Sequence, residues 1–429
     1  MEELNIIDWQ KKHIAVINNE PFSFDDFEQD EIKDIKWREQ IEPWLTSIFQ
    51  SEHFSLLIGT GLTTAVTNIA NIDSQAMQRI EFNSYKEEIK SFSDESAKNS
   101  SRGKANFEDD FRSALELLKG LIIQNRKNRK LEIDINNKLS QFIKNILINE
   151  NKFFNLYNTE DEKAIKALEY LKSFIISFAS RTATRERLNI FTTNYDRFIE
   201  FGCDICGILI LDRFIGKISP IFRSTKLDLD YHYNPPGIRG EPRYVEGVVR
   251  LYKVHGSIDW QFEKDYIKKS SLPFGADISH PGLPRNTKEH IVIYPNSAKG
   301  IDTAFYPYSE LFRDFSAGIC RPNSVVVTYG YGFGDSHINR ILSDMLTIPS
   351  THLVIISYNK ADGRLEEFFK TRNKAQFTLL IGEHFGDLEN LVDRYLPKAA
   401  IDRIQDRYYG ISEKRSRVKE LHSKEQNEE

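Results

Sequence analysis

Four short segments of this chain bring together residue types that can move protons or lie against phosphate. In Lys253-Val254-His255-Gly256-Ser257-Ile258-Asp259-Trp260 an apolar run ends in an imidazole, a glycine and a hydroxyl. His255 is a candidate general base because imidazole titrates near neutral pH; a hydrogen-bonded structural histidine is the competing reading. Thr192-Thr193-Asn194-Tyr195-Asp196 places an amide and a carboxylate after another apolar run. Asn194 and Asp196 there either open a site or cap the helix that RFIEFG would begin. In Gly59-Thr60-Gly61-Leu62-Thr63, directly after LLI, the missing Cβ atoms let backbone amides approach a pyrophosphate, or serve packing alone. Gly330-Tyr331-Gly332-Phe333-Gly334-Asp335-Ser336-His337 follows VVVTY, and its glycine density points to close backbone approach at Gly330 and Gly332. Asp335 and Ser336 are expected to cap a helix that starts near Ile338.

These segments need a scaffold that brings strand ends together. LNIFTTNYD, VVRLYKVHGS, HIVIYP, SVVVTYGYGFGD and HLVIISYN read as apolar strands ending in loops, interleaved with helices such as NRILSDML. A parallel sheet buried on both faces fits that pattern, and its ligands would lie beyond the carboxyl ends of the strands. The expected fold is α/β, with a Rossmann-like doubly wound parallel sheet and a large α-helical insertion. The sheet domain is assigned to 41–72 and 188–410, opening with a short helix over 41–50. Helical spacing in LELLKGLIIQ, LSQFIKNILI and IKALEYLKSFIISFAS assigns the insertion to 73–187, with 93–106 as a loop. Residues 1–40 are read as an N-terminal arm and 411–429 as a charged tail, and no fixed-period repeat occurs.

Composition narrows the function classes. The 429 residues are 40% hydrophobic, with 29 Phe and 18 Tyr, which supports a large folded core. A net charge of −5 gives no broad attraction to phosphate backbones, so direct nucleic-acid binding is not expected. MEELNIIDWQ lacks a basic and apolar secretion pattern, and apolar runs such as SLLIGTGL fall short of the ~20 residues a bilayer span needs. No membrane association and a cytoplasmic location are the expectation. The three cysteines make no disulfide framework.

In order and character the four segments resemble the Sir2 superfamily, and especially its bacterial Sir2-like branch. GTGLT resembles the family's GAGxS turn, TTNYD its T-x-N-x-D motif, KVHGSIDW its catalytic HG motif and GYGFGDSHIN its later glycine-rich segment. The resemblance spans roughly 54–360. It implies NAD as substrate, lying across the carboxyl ends of the sheet, with its nicotinamide–ribose bond cleaved. It further implies that Gly59, Thr60 and Gly61 contact the pyrophosphate and that Asn194 orients the ribose and a water. Asp196 would help to hold the nicotinamide carboxamide, His255 would act as base, and Gly330, Gly332 and the turn after Ile356 would border the adenosine end.

The departures shift the expected reaction. Cys203 and Cys206 form one CxxC pair and Cys320 stands apart, so the two pairs of the deacylase zinc module are missing and no metal is expected. TAVTNIA replaces the acidic-aromatic loop that follows the glycine turn in deacylases. The resemblance therefore favours an NAD hydrolase (NADase) of antiphage defence, which depletes NAD when activated. Expected partners are further copies in a homo-oligomer, a HerA-like ATPase or a phage-derived activator. NAD-dependent deacylation, cyclisation of ADP-ribose, and a non-catalytic NAD or ADP-ribose sensor are the alternatives.

Overall fold

The computed structural model describes residues 7–25, 31–73, 79–99, 103–126, 128–181, 185–225, 230–233, 243–263, 265–283, 291–293 and 306–398. The expected tail at 411–429 and residues 399–410 of the expected sheet domain lie outside them.

Strands β1 (His13–Ile17) and β2 (Glu20–Phe24) open the chain, followed by α1 (Glu31–Phe49), β3 (His53–Ile58) and α2 (Thr60–Ile69). Helices α3 (Lys86–Asn99), α4 (Phe107–Ile123), α5 (Arg129–Asn158) and α6 (Glu162–Ala179) precede β4 (Asn189–Thr192). Next come α7 (Phe198–Ile205), β5 (Leu209–Leu211), β6 (Phe214–Ile215), β7 (Ile221–Phe222), β8 (His232–Tyr233), β9 (Arg243–Tyr244) and β10 (Val248–Lys253). The chain continues through β11 (Gly256–Glu263), β12 (Tyr266–Lys269), β13 (Ile291–Ile293), α8 (Tyr308–Ile319), β14 (Ser324–Tyr329), α9 (Ser336–Met345), β15 (His352–Ser357), α10 (Arg364–Lys370) and β16 (Phe377–Ile381). Among the described residues no helix is long and apolar enough to cross a membrane.

The main sheet has nine strands in the order β2-β1-β16-β15-β14-β3-β4-β10-β5. From β16 to β5 every pairing is parallel, as the apolar runs predict. Alternate side chains enter two cores: Phe54, Leu56 and Ile58 of β3 join α1, α2, α6 and α7 on one face, while Leu57 joins α8, α9 and α10 on the other. Each fully buried aliphatic side chain contributes roughly 1.5–3 kcal/mol, so burial on both faces is what holds these strands central. Helices on both faces make the sheet doubly wound.

Several boundaries differ from the sequence reading. The 1–40 arm supplies a hairpin: Asn18 and Asn19 turn it at positive φ (51° and 66°), and buried β1 pairs antiparallel with β16. The short helix at 41–50 is the second half of α1. HIVIYP does not join the parallel sheet; Ile291–Ile293 pairs antiparallel with β11 in a separate five-stranded sheet, because an apolar run alone does not specify its partner. The loop over 93–106 is helical as far as Asn99, where α3 ends.

Within 73–187 the helices divide between two cores. Phe111 and Leu115 of α4 pack with Leu131, Ile135, Leu139 and Leu147 of α5 in a cluster separate from the sheet cores, which Tyr195, Ile258 and Leu272 join. Leu168, Leu171, Phe174 and Phe178 of α6 instead cover the main sheet. Helix α5, 30 residues and therefore about 45 Å long, runs from one core to the other, with Phe153 near its end in the sheet core. Side-chain caps set the starts of these helices: Asn106 for α4, Asn128 for α5 and Asp161 for α6.

Candidate active site

Strand β3 lies between β4, which follows it on one side, and β14 on the other, so the strand order reverses between β3 and β14. Crevices form beyond the carboxyl ends of strands at such a switch point. The turns after β3 and β14 meet there. The amide of Gly59 donates to Tyr329 O (3.0 Å) and that of Gly61 to Gly330 O (3.1 Å). A Cβ on Gly61 would lie 2.5 Å from Gly330 Cα, and one on Gly330 would lie 2.6 Å from Gly61 Cα. Gly330 also holds a φ of +61°. The missing Cβ atoms at Gly61 and Gly330 thus admit the opposite backbone, and the Gly59 and Gly61 amides are spent on that contact. The packing reason read from the sequence is present here, and Gly59, Thr60 and Gly61 also line the cavities beside the turn. At Gly332 the space is open, since an added Cβ would meet only the Arg364 guanidinium at 3.6 Å.

Two cavities adjoin along these turns. The larger, about 960 Å³, lies against α2 at Thr60, Gly61 and Thr64 and against the turn after β15 at Ser357, Asn359 and Lys360. The smaller, about 320 Å³, is lined by Gly59, Asn106, Glu108, Thr193, His255 and Asp335. Thr60, Tyr331, Gly332, Asp362 and Arg364 border both. Arg364 stands at the junction, its Nε donating to Gly332 O at 2.7 Å, and brings a cation where the sequence reading named none.

His255 follows β10 and is 4% exposed. Its Nε2 lies 2.9 Å from Asp335 Oδ2. Asp335 Oδ1 meanwhile accepts the amides of His337 (3.0 Å) and Ile338 (3.4 Å) at the start of α9. The expected cap is present at Asp335, Ser336 is the first residue of α9 and not a cap, and the second Asp335 oxygen does a further job. An ionised carboxylate only accepts, so Nε2 carries the proton of neutral His255 and the lone pair falls on Nδ1. The Tyr195 ring lies 6.1 Å from the imidazole, and the Phe312 ring 6.5 Å on.

Asn194 sits behind Gly59, 2% exposed. Its Nδ2 donates to Gly59 O (3.0 Å) and Thr63 Oγ1 (3.1 Å), while its Oδ1 is buried with no hydrogen-bond partner. Asp196 borders neither cavity: Oδ2 accepts the Thr63 hydroxyl (2.8 Å) and Oδ1 the amide of Phe198 (3.3 Å), tying the turn to α2 and α7. Of the residues singled out from sequence, Gly59, Thr60, Gly61, Gly330, Gly332 and His255 line the crevice. Asn194 and Asp196 support it from behind.

The same turn is anchored from α5. Arg197 Nη2 pairs with Glu150 Oε2 at 2.5 Å, and its backbone amide donates to Glu150 Oε1 at 2.8 Å. Arg197 is 6% exposed and Glu150 wholly buried. Glu108 of α4 accepts the Tyr195 hydroxyl at 3.2 Å. Burial, then the Glu108 charge, push the Tyr195 hydroxyl well above its usual range, so it stays a donor. Nothing in the sequence marks Glu108 for this role, because acids are ordinary in a first helical turn.

Cys203 is buried in α7, Cys206 ends that helix and Cys320 ends α8. Burial pushes all three thiols up, away from the thiolate a metal needs. Among the described residues no group of three or more His, Cys, Asp or Glu side chains could hold a metal ion.

Residues 188–375 match the family model described as SIR2-like domain. That stretch carries TTNYD, KVHGSIDW and GYGFGDSHIN and ends before β16; β3, Gly59-Thr60-Gly61 and α4 precede it. No curated protein matches the chain.

Proposed function

We propose that this chain hydrolyses NAD, cleaving the nicotinamide–ribose bond to give nicotinamide and ADP-ribose. SIR2-like domains bind NAD, and the match over 188–375 supports NAD-related chemistry in this region. The observation that carries the hydrolase reading is the pair of adjoining cavities with the Asp335-held His255 at one end. A dinucleotide is long and has two unlike ends, and this crevice has the same character. The open space at Gly332 also fits such a substrate.

In this reading the adenosine half occupies the larger cavity beside Asn359, the pyrophosphate passes Arg364 and Gly332, and the nicotinamide ribose enters the smaller cavity. The C1′–N bond breaks with its electron pair passing to the nicotinamide nitrogen, and water supplies the new C1′–O bond. His255 accepts the proton through Nδ1 and releases it to solvent, while Asp335 steadies the imidazolium. Asn194 Oδ1 offers its dipole to the ribose as positive charge develops there. Asp196 acts through Thr63 on the position of α2. The resemblance to bacterial Sir2-like proteins extends the proposal to NAD depletion in antiphage defence, switched by assembly or by a partner.

The test is chromatography of the products after incubating the full chain with NAD, alone and with acylated peptide. Nicotinamide and ADP-ribose are expected without the peptide, and His255→Ala and Asn194→Ala should each abolish them. Formation of O-acyl-ADP-ribose only in the presence of peptide would establish deacylation instead. Binding of NAD without any nicotinamide release would establish a sensor.

A further inference from the structure

Glu108 is the second residue of α4, and its carboxylate is delivered into the cavity of His255 by a first turn that is firmly fixed. Asn106 Oδ1 accepts the amides of Glu108 (2.9 Å) and Asp109 (3.3 Å), and the Asp109 carboxylate accepts the amide of Asn106 (3.0 Å). Phe107 stacks on Phe142 at 4.1 Å beneath this turn. An acid at a helix N-terminus ordinarily complements the dipole from solvent. Glu108 is only 4% exposed, so that role does not account for the desolvation it bears. It shares the small cavity with His255, Thr193 and Asp335, and the Tyr195 hydroxyl fixes Oε1. Tyr195 in turn lies beside the His255 ring and packs with α4 and α5 in one apolar cluster that also takes in Ile258. A carboxylate and a histidine thus border one cavity with the buried Tyr195 linking them from behind, and the carboxylate comes from outside the stretch that matches the SIR2-like family.

Building on the NAD reading, we propose that Glu108 is a catalytic residue whose carboxylate faces the cationic nicotinamide riboside end of NAD. It favours the cationic ring on binding and stabilises the positive charge that passes to C1′ as nicotinamide departs. The electron pair of the breaking bond goes to nicotinamide and the proton of the attacking water goes to His255, so Glu108 keeps its charge throughout.

The experiment has a binding arm and a rate arm. In the full chain carrying His255→Ala, which blocks turnover, calorimetry compares NAD+ with NADH, whose dihydronicotinamide ring is neutral. The parent should prefer NAD+ by about tenfold, as a facing opposite charge gives, and Glu108→Gln should remove the preference. In the otherwise wild-type chain, Glu108→Gln should lower kcat by roughly 10²-fold, comparable to removing one preorganised electrostatic group, while KM rises by no more than the roughly tenfold lost in binding. Glu116→Gln, an exposed position on the same helix, should leave both readouts unchanged. Melting curves check folding, and Glu108→Asp, which keeps the charge and the capped turn, should retain the preference while kcat falls by roughly tenfold because the charge is set back. An NAD+ preference unaltered by Glu108→Gln, a kcat unaltered by either variant, or a loss confined to KM overturns the assignment. A parent that binds neither dinucleotide overturns the NAD reading itself, a result distinct from binding that ignores Glu108.

Discussion

Replacing Asp335 with asparagine separates two duties that one side chain performs. Asn is as good an N-cap as Asp, so the bonds to the amides of His337 and Ile338 should survive and α9 should lose only a few tenths of a kcal/mol. What changes is the partner of His255 Nε2, from an anion at 2.9 Å to a neutral amide. Opposite unit charges about 4 Å apart at an effective dielectric of 20 interact by about 4 kcal/mol, close to three decades of rate if all of it is lost in the transition state. The single amide oxygen stays on the cap, and the amide NH2 turned towards the imidazole cannot accept from Nε2, so nothing is restored and the expected fall in kcat is about 10³-fold. Nicotinamide release measures the fall and thermal melting measures the fold. Asp335→Ala is the companion variant: the same loss of rate, with about 1 kcal/mol of stability lost along with the cap. If Asp335→Asn turned over within threefold of wild type at an unchanged Tm, the claim that Asp335 steadies a charged His255 would be wrong.

Other perturbations test the frame around that pair. Gly61→Ala forces a Cβ against Gly330 backbone and should lower both stability and dinucleotide affinity; Gly332→Ala meets only the flexible Arg364 side chain and should raise KM at an unchanged Tm. Glu150→Ala strands Arg197 as an unpaired buried charge and should cost about 3–5 kcal/mol in urea unfolding. His352 has its pKa lowered to about 4 by burial. Below the unfolded-state value near 6.5 the unfolded chain takes up a proton that the folded chain refuses, so stability should fall as pH drops from 6.5 towards 4, by about 2 kcal/mol between pH 7 and pH 5. In His352→Gln that portion of the acid limb should flatten, and an unchanged limb would assign it to other groups.

The parts of the site carried by parallel strands were legible because such strands are buried on both faces. SVVVTY and LLI read as apolar blocks, and whatever follows them must sit at a carboxyl edge, which is where His255, Gly330 and Gly332 lie. The N-terminal hairpin escaped because its strands are short, although Asn18-Asn19 between HIAVI and EPFSF was the available turn signal. Asp335 was read correctly as a cap, but a sequence does not say that one oxygen caps while the other holds an imidazole. Glu108 and Arg364 could not be seen at all. Each reaches the crevice through tertiary packing, Glu108 from 86 residues before Asn194, as 194 − 108 gives. The glycines at 61 and 330 stood out in the sequence, but that their missing side chains make room for each other is a tertiary fact the sequence does not state.

That interlock has a consequence for anyone mapping the crevice by mutation. Its midpoint is built from backbone against backbone, so truncating side chains there removes nothing. Truncating side chains should return two islands of sensitivity, around His255 and around Asn359, with Arg364 the main response between them. Read naively, such a map would suggest two unrelated ligands on one protein. On the dinucleotide reading, the backbone stretch between them is the part that cannot be trimmed, and the two islands belong to a single molecule laid across it.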